Sequence, residues 1–338
     1  MRGAVRFTVA ALTVAVSIAF AEEDERRTDT PLFDYALEQP SPSAPFAGTL
    51  NKLVAQHTAE IARNPPPPDG ECAQTLGASR FARLYEDLAV ALANAGDYDG
   101  AISAHEKALA CTPRAIPVHA ALAEELLHAG RYKEARAAAQ RAAAIRRTDL
   151  SELRPLDSVL MQLDFIDERW AESVARLRAM AASEPDAERA TYWQILLWLA
   201  QRRAGVREPE LAQREGEHVH EGWPMPILDF LKGSLTEDQL LEHIEDVRDD
   251  RRRRELLAEA LYYVGQARLA QGETEVARRY FAAAVNLKVL YFIEHHLALA
   301  EVTKMRAARE GDAHALETNE SGRDVAEAPS GDRGGSLE

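Results

Sequence analysis

A pattern that returns after 34 residues constrains this chain more than any other feature. Gly96, Asp97 and Tyr98 are followed by Ala101, His105, Ala108 and Pro113. They are echoed 34 positions later by Gly130, Arg131 and Tyr132, with Ala135, Ala139 and Ala142 behind them. A third copy near the other end reads Gly272, Glu273 and Thr274, then Ala277, Phe281 and Ala284. Bulky residues stand at helical spacing ahead of each turn: Tyr85, Leu88 and Leu92 in the first copy, Leu122 and Leu126 in the second. Ala89, Ala101 and Ala108 are small enough to let paired helices approach closely. The glycine of each turn tolerates the left-handed backbone that a helix end needs. One such helix pair cannot hide its apolar side alone, so successive copies must stack. The expected fold is all-α: an α-solenoid of helix-turn-helix repeats wound as a right-handed superhelix and closed by a C-terminal capping helix.

These turns and small residues resemble the tetratricopeptide repeat (TPR), whose usual work is holding other proteins. The resemblance implies an inner face lined mainly by the first helix of each pair. Counted from the turn glycines, the first repeat offers Arg83, Glu86, Val90 and Asn94 to that face, and the second Glu124, Leu127 and His128. The last offers Glu259, Tyr262, Gln266 and Leu269. Mixed polar and apolar groups on a concave surface suit an extended peptide, with Tyr262 and Leu269 as anchors and the acidic residues as steering groups. The plain alternative is that these are ordinary surface residues and a partner grips a helix edge.

The chain divides into five stretches. Residues 1–21 read as a secretory signal: Arg2 and Arg6 precede an apolar run from Phe7 to Phe20, too short for the ~20 residues of a membrane span. Ala19-Phe20-Ala21 is a small-x-small cleavage site. Export to the periplasm without stable membrane insertion is expected, with an uncleaved N-terminal anchor as the alternative. Residues 22–70 form a flexible, proline-rich lead-in with one short helix over Leu50 to Ala62, stopped by Asn64 and the prolines that follow. Residues 71–187 carry the N-terminal repeats, the last of them degenerate, with a turn at Asp164 to Asp167 that lacks glycine. Residues 188–305 form a second repeat module. It opens with a helix around Tyr192–Leu199 apolar nearly all round, and continues through a polar helix over Glu208 to His218. Thr236 and Gln239 predict a capping box opening the helix from Glu237 to Val247. Residues 306–338 are expected to be a disordered tail.

A formal net charge of −15 and a pI near 5.2 argue against nucleic acid, since neutralising phosphates needs a basic face. The one basic run, Arg251 to Arg254, is bracketed by Asp249, Asp250 and Glu255 and reads as a solvated helix start, with a docking patch as the alternative. Cys72 and Cys111 would meet an oxidising compartment. Paired helices run antiparallel, so the start of one lies beside the end of the other, and the two cysteines can close a structural disulfide; two buried thiols are the alternative. No nucleophile elbow, phosphate-cradling loop or zinc-binding His-Glu-x-x-His is present, and no cofactor or metal is expected. His218 and His220 are adjacent to acidic residues but diverge on any helix, and His295 is expected to pack within the C-terminal cap.

From Tyr192 to Met305 the chain resembles the bacterial lipoprotein NlpI family. The resemblance is carried by Leu196–Ala200, by Trp223–Gly233, by Ser234–Leu241 and by the closing repeat through Phe292-Ile293-Glu294-His295. It implies a non-enzymatic envelope adaptor that brings peptidoglycan hydrolases and a processing protease together, commonly as a homodimer. Two departures stand out. No lipid-acceptor cysteine follows the signal, and the proline run with the Cys72/Cys111 pair differs from the family's N-terminal region. The expected function is a periplasmic, protein-binding TPR adaptor; the alternative is a structural or assembly subunit of an envelope or secretion complex.

Overall fold

The computed structural model describes residues 47–67, 71–145, 154–211 and 222–324, and among them thirteen α-helices and no strand. Residues 1–21, expected to be a secretory signal, and the His218/His220 pair lie outside the described residues. Helix α1 (Ala47–Arg63) covers the short predicted helix, and Asn64 with the prolines ends it. A 3-10 turn (Cys72–Gln74) leads into the first repeat pair, α2 (Ala78–Asn94) and α3 (Tyr98–Cys111). The second pair is α4 (Ile116–His128) and α5 (Tyr132–Ala144), and the degenerate pair is α6 (Arg154–Ile166) and α7 (Trp170–Ser183). Helix α8 (Ala187–Arg203) follows, then the short α9 (Met225–Leu231) and α10 (Glu237–Glu245). The last pair is α11 (Asp250–Ala270) and α12 (Thr274–Asn286), and α13 (Ile293–Asp324) ends the fold.

The turn chemistry explains the breaks. Gly96, Gly130 and Gly272 hold φ of +81°, +73° and +85°, where a side chain would be strained. In the degenerate pair Glu168 takes this role at φ +57°, so the turn survives without glycine. Asp97 caps α3 and Asp249 caps α11 through their side chains. Thr236 and Gln239 form the predicted capping box on α10.

Neighbouring helices pack in chain order, α2 on α3, α4 on α5, α11 on α12, and each pair on the next. A single continuous core runs from Ile102 to Ala300, and two small satellites sit around the first repeat, one of them reaching Val118 of α4. Helix α8 is buried on most sides, as its sequence predicts. Glycine lets α11 come close to α12, because a Cβ on Gly265 would lie 2.7 Å from the Phe281 ring.

Two boundary expectations need correction. Residues Glu208 to Leu211 are not helical; Gln201 of α8 instead bonds the Glu210 main chain through both ends of its amide, holding the segment extended. The capping helix does not stop near Met305, and residues 306–324 continue α13 instead of forming a disordered tail. That helix also folds back across the solenoid onto α6.

Candidate protein-binding surface

The residues expected on the inner face of the first repeat are accessible. Spacings of three, four and four put Arg83, Glu86, Val90 and Asn94 on one stripe of α2. Arg83 and Asn94 are exposed, Glu86 is half-buried, and Val90 is 56% exposed, unusual for a β-branched apolar side chain on a packed helix. Both flanks of the stripe are buried, with Ala82 and Ala89 on one side and Leu84 and Ala91 on the other. Cys72 and Cys111 are joined, with their Cα atoms 4.6 Å apart, so the 3-10 turn is tied to the end of α3. The disulfide expected from antiparallel pairing is present, and it leaves no free thiol among the described residues. Lys107 of α3 lies 5.9 Å over the Tyr85 ring beside the stripe.

The other two sets are placed differently. Glu124 is exposed, but Leu127 is buried. The His128 ring stacks on His296 of α13 at 3.7 Å and meets the Tyr98 ring edge-on at 5.5 Å. In the last repeat Glu259, Tyr262 and Gln266 are all buried and Leu269 is half-buried. Tyr262 lies against the rings of Tyr263 and Phe281, and its hydroxyl accepts from Gln266 at 3.3 Å. It is a core residue and cannot anchor a peptide.

The physical reason is α13. Arg203 at the end of α8 donates to Gln266 at 2.7 Å and pairs with Glu301 of α13 at 3.6 Å, while its guanidinium lies 4.8 Å over Trp170. Lys304 of α13 reaches Glu168, in the glycine-free turn, at 3.2 Å. Tyr263 donates to the buried Glu294 at 2.9 Å. The C-terminal helix therefore covers a face that stacked helix pairs alone would leave open. Sequence reading missed Arg203, Glu301, Lys304 and Glu168 as the residues that seat it. They come from three separate elements, with Glu168 and Arg203 about a hundred positions or more from Glu301 and Lys304, so no short-range signal pointed to them.

Burial shapes the electrostatics of this seat. Burial, and then the neighbouring His128, lower the His295 imidazole to about 4. The same two causes, with His295 added, lower His296 to about 3 although it also bonds the Leu290 carbonyl at 2.7 Å. Both rings are neutral at pH 7, as their stacking and burial require. Among the described residues no group of His, Cys, Asp and Glu is placed to hold a metal, and no helix is long and apolar enough to cross a membrane.

Residues 92–156, from the end of α2 into α6, match the tetratricopeptide repeat family. With the all-helical stack around it, the fold is a TPR-like α-solenoid. Folds of this kind are typically protein-binding scaffolds without catalytic function.

Proposed function

We propose that this chain is an exported periplasmic adaptor that binds other proteins and uses the first repeat to do so. The observation that carries the reading is the contrast along the inner face: Val90 and its polar neighbours on α2 stand in solvent, while the matching positions on α11 are closed. An apolar side chain flanked by Arg83, Glu86 and Asn94 offers an anchor with a polar rim, the arrangement that gives a helical surface its specificity for an extended peptide. The disulfide supports the same reading, because Cys72–Cys111 holds the presenting pair in shape and belongs to an oxidising compartment. The resemblance between Tyr192 and Met305 to envelope adaptors makes a peptidoglycan hydrolase or an envelope protease the partner of choice. Its homodimers extend the proposal to a second copy of this chain.

The experiment places a photo-crosslinking residue at position 90 in the full chain produced with its secretory segment. Expected are a mature N-terminus at Glu22 and sub-stoichiometric crosslinks to a hydrolase or protease of the envelope. Replacing Val90 with Asp should abolish capture and leave helicity unchanged. Capture that survives the replacement would move the contact off α2, and recovery in fixed ratio with membrane proteins would favour an assembly subunit. An unprocessed N-terminus would remove the periplasmic assignment.

A further inference from the structure

A cavity of about 400 Å³ opens between α8, the start of α11 and the start of α13, a size that suits small-ligand sites. Its walls are apolar and aromatic, from Tyr192, Trp193 and Leu196 on one side and Phe292 and Ile293 on the other. Its polar lining includes Glu259, which is 0% exposed. Trp223 Nε1 donates to one carboxyl oxygen of Glu259 at 2.5 Å, and the Tyr192 hydroxyl interacts with the same carboxyl group. The other oxygen, Oε1, is buried with no hydrogen-bond partner. An open acceptor in such a place costs stability unless something fills it, by roughly 1–3 kcal/mol.

We infer that this cavity is a binding site for a primary ammonium group on an apolar stem, received by Glu259 between aromatic walls. The charges around it favour a cation over an anion. Both guanidiniums at the cavity are already engaged, Arg189 with Glu184 at 3.1 Å and Arg252 with Glu255 at 3.5 Å. The carboxyl of Glu188 also lines it and would repel an anion. Aromatic faces attract an ammonium through their quadrupoles, and most strongly where water is excluded. Burial, with Glu294 adding, raises the Glu259 carboxyl to about 8, so the empty site avoids an unpaired charge by holding a proton. An arriving ammonium would pair with the carboxylate as the carboxyl proton leaves to solvent, and would supply the partner that Oε1 lacks. The site is distinct from the stripe on α2 and does not depend on it.

A lysine side chain and a chain's amino terminus share this chemistry, and two probes separate them. Nα-acetyl-lysine amide carries only the side-chain amine, and leucine amide only the α-amine. Titration of each into the mature chain, read at the indole N–H resonances of Trp193 and Trp223, should show saturable binding for at least one, with a Kd on the order of 1 mM. Nα-acetyl-norleucine amide, the same shape without charge, should bind about tenfold more weakly or not at all. Glu259→Gln should remove the preference for the amine, and Ile293→Trp, which fills the mouth without touching the carboxyl, should block both probes. Equal binding of the norleucine probe, or undiminished amine binding to Glu259→Gln, would reduce the cavity to an apolar void and overturn the inference. So would tighter binding of free Nα-acetyl-norleucine, whose carboxylate would then be using Arg189 or Arg252. Absence of binding by either amine would overturn it as well.

Discussion

The first and last helix pairs solve one packing problem with different materials. Around α2 and α3 the core is small: Ala89, Ala101 and Ala104 make one cluster, and Ala82, Ala108 and Cys111 join Cys72 of the 3-10 turn and Val118 of α4 in another, both separate from the main core. Between α11 and α12 the core is aromatic, with Tyr262, Tyr263, Tyr280 and Phe281 among the largest fully buried side chains. It is also laced with buried polar bonds. Tyr280 donates to Glu237 of α10, and Arg268 pairs with that same carboxyl at 2.9 Å. Alanine cores bury little apolar area per residue, so the first pair draws on a covalent link, whereas the last relies on ring area and satisfied buried charge. The pair with the thinner core is also the one whose surface stays open.

Substitutions can break that contrast, and the aromatic end should suffer most. Phe281→Ala removes a ring packed on Gly265 and Tyr262 and should cost about 3–5 kcal/mol, read as a fall in the urea midpoint for the C-terminal module. Reducing the disulfide comes next. A loop of 39 positions carries a chain-entropy contribution of about 4 kcal/mol, less any native strain. Loss of amide protection confined to α2 and α3, with α11 and α12 still protected, is the expected signature. Uniform loss along the whole solenoid would show that the two ends unfold as a single unit and that the contrast has no energetic meaning.

How far the sequence disclosed this arrangement follows the range of the forces involved. Helix pairs, glycine turns, the Thr236 cap and the Cys72–Cys111 link arise from neighbours within one or two helices, and local pattern exposes such relations. The stripe on α2 was legible for the same reason, since its four residues share one helix face. Tyr262 and Glu259 were misplaced because repeat position alone assigns them to the inner face. Their burial depends on α8, on Trp223 and on a terminal helix whose composition past Arg306 resembles a tail. The length of α13 and its path back to Glu168 are set by contacts between distant parts of the chain. Periodicity carries no information about them.

Acid should act on the seat of α13 more than on the disulfide-linked pair. His295 and His296 have pKa values lowered in the folded state to about 4 and about 3, against about 6.5 when unfolded. Below about pH 6.5 the unfolded chain takes up protons that the folded chain refuses. The histidine contribution to stability is therefore whole above that pH and falls as pH drops toward the folded values, by at most ~1.4 kcal/mol per unit for each ring. Burial raises Glu259 and Glu294, whose contribution runs the other way and is lost as pH rises through their folded values. His296→Gln isolates the histidine part: its stability should decline less between pH 6.5 and 4 than the parent's, measured by urea midpoints at each pH. Identical slopes would detach the His128–His296 stack from the hold on α13.

The smallest effect tests whether the glycine-free turn is a defect or a device. Glu168 adopts the left-handed conformation that glycine supplies in the other repeats, at a cost of roughly 1 kcal/mol for a non-glycine residue. If the turn were merely degenerate, Glu168→Gly would stabilise the chain by about that amount. Glu168 also receives Lys304 at 3.2 Å and lies 3.9 Å from Arg203, and these partly exposed pairs are worth ~0–1 kcal/mol together with the hold on α13. The two contributions should nearly cancel, leaving Glu168→Gly within about 0.5 kcal/mol of the parent in thermal melts. In a Lys304→Ala background most of the pairing is already gone, and the same replacement should then stabilise by more than it does in the parent. A gain of equal size in both backgrounds would mean that Glu168 does not hold the terminal helix, and that the covering of the inner face rests on buried contacts such as the His128–His296 stack and the Arg203–Glu301 pair.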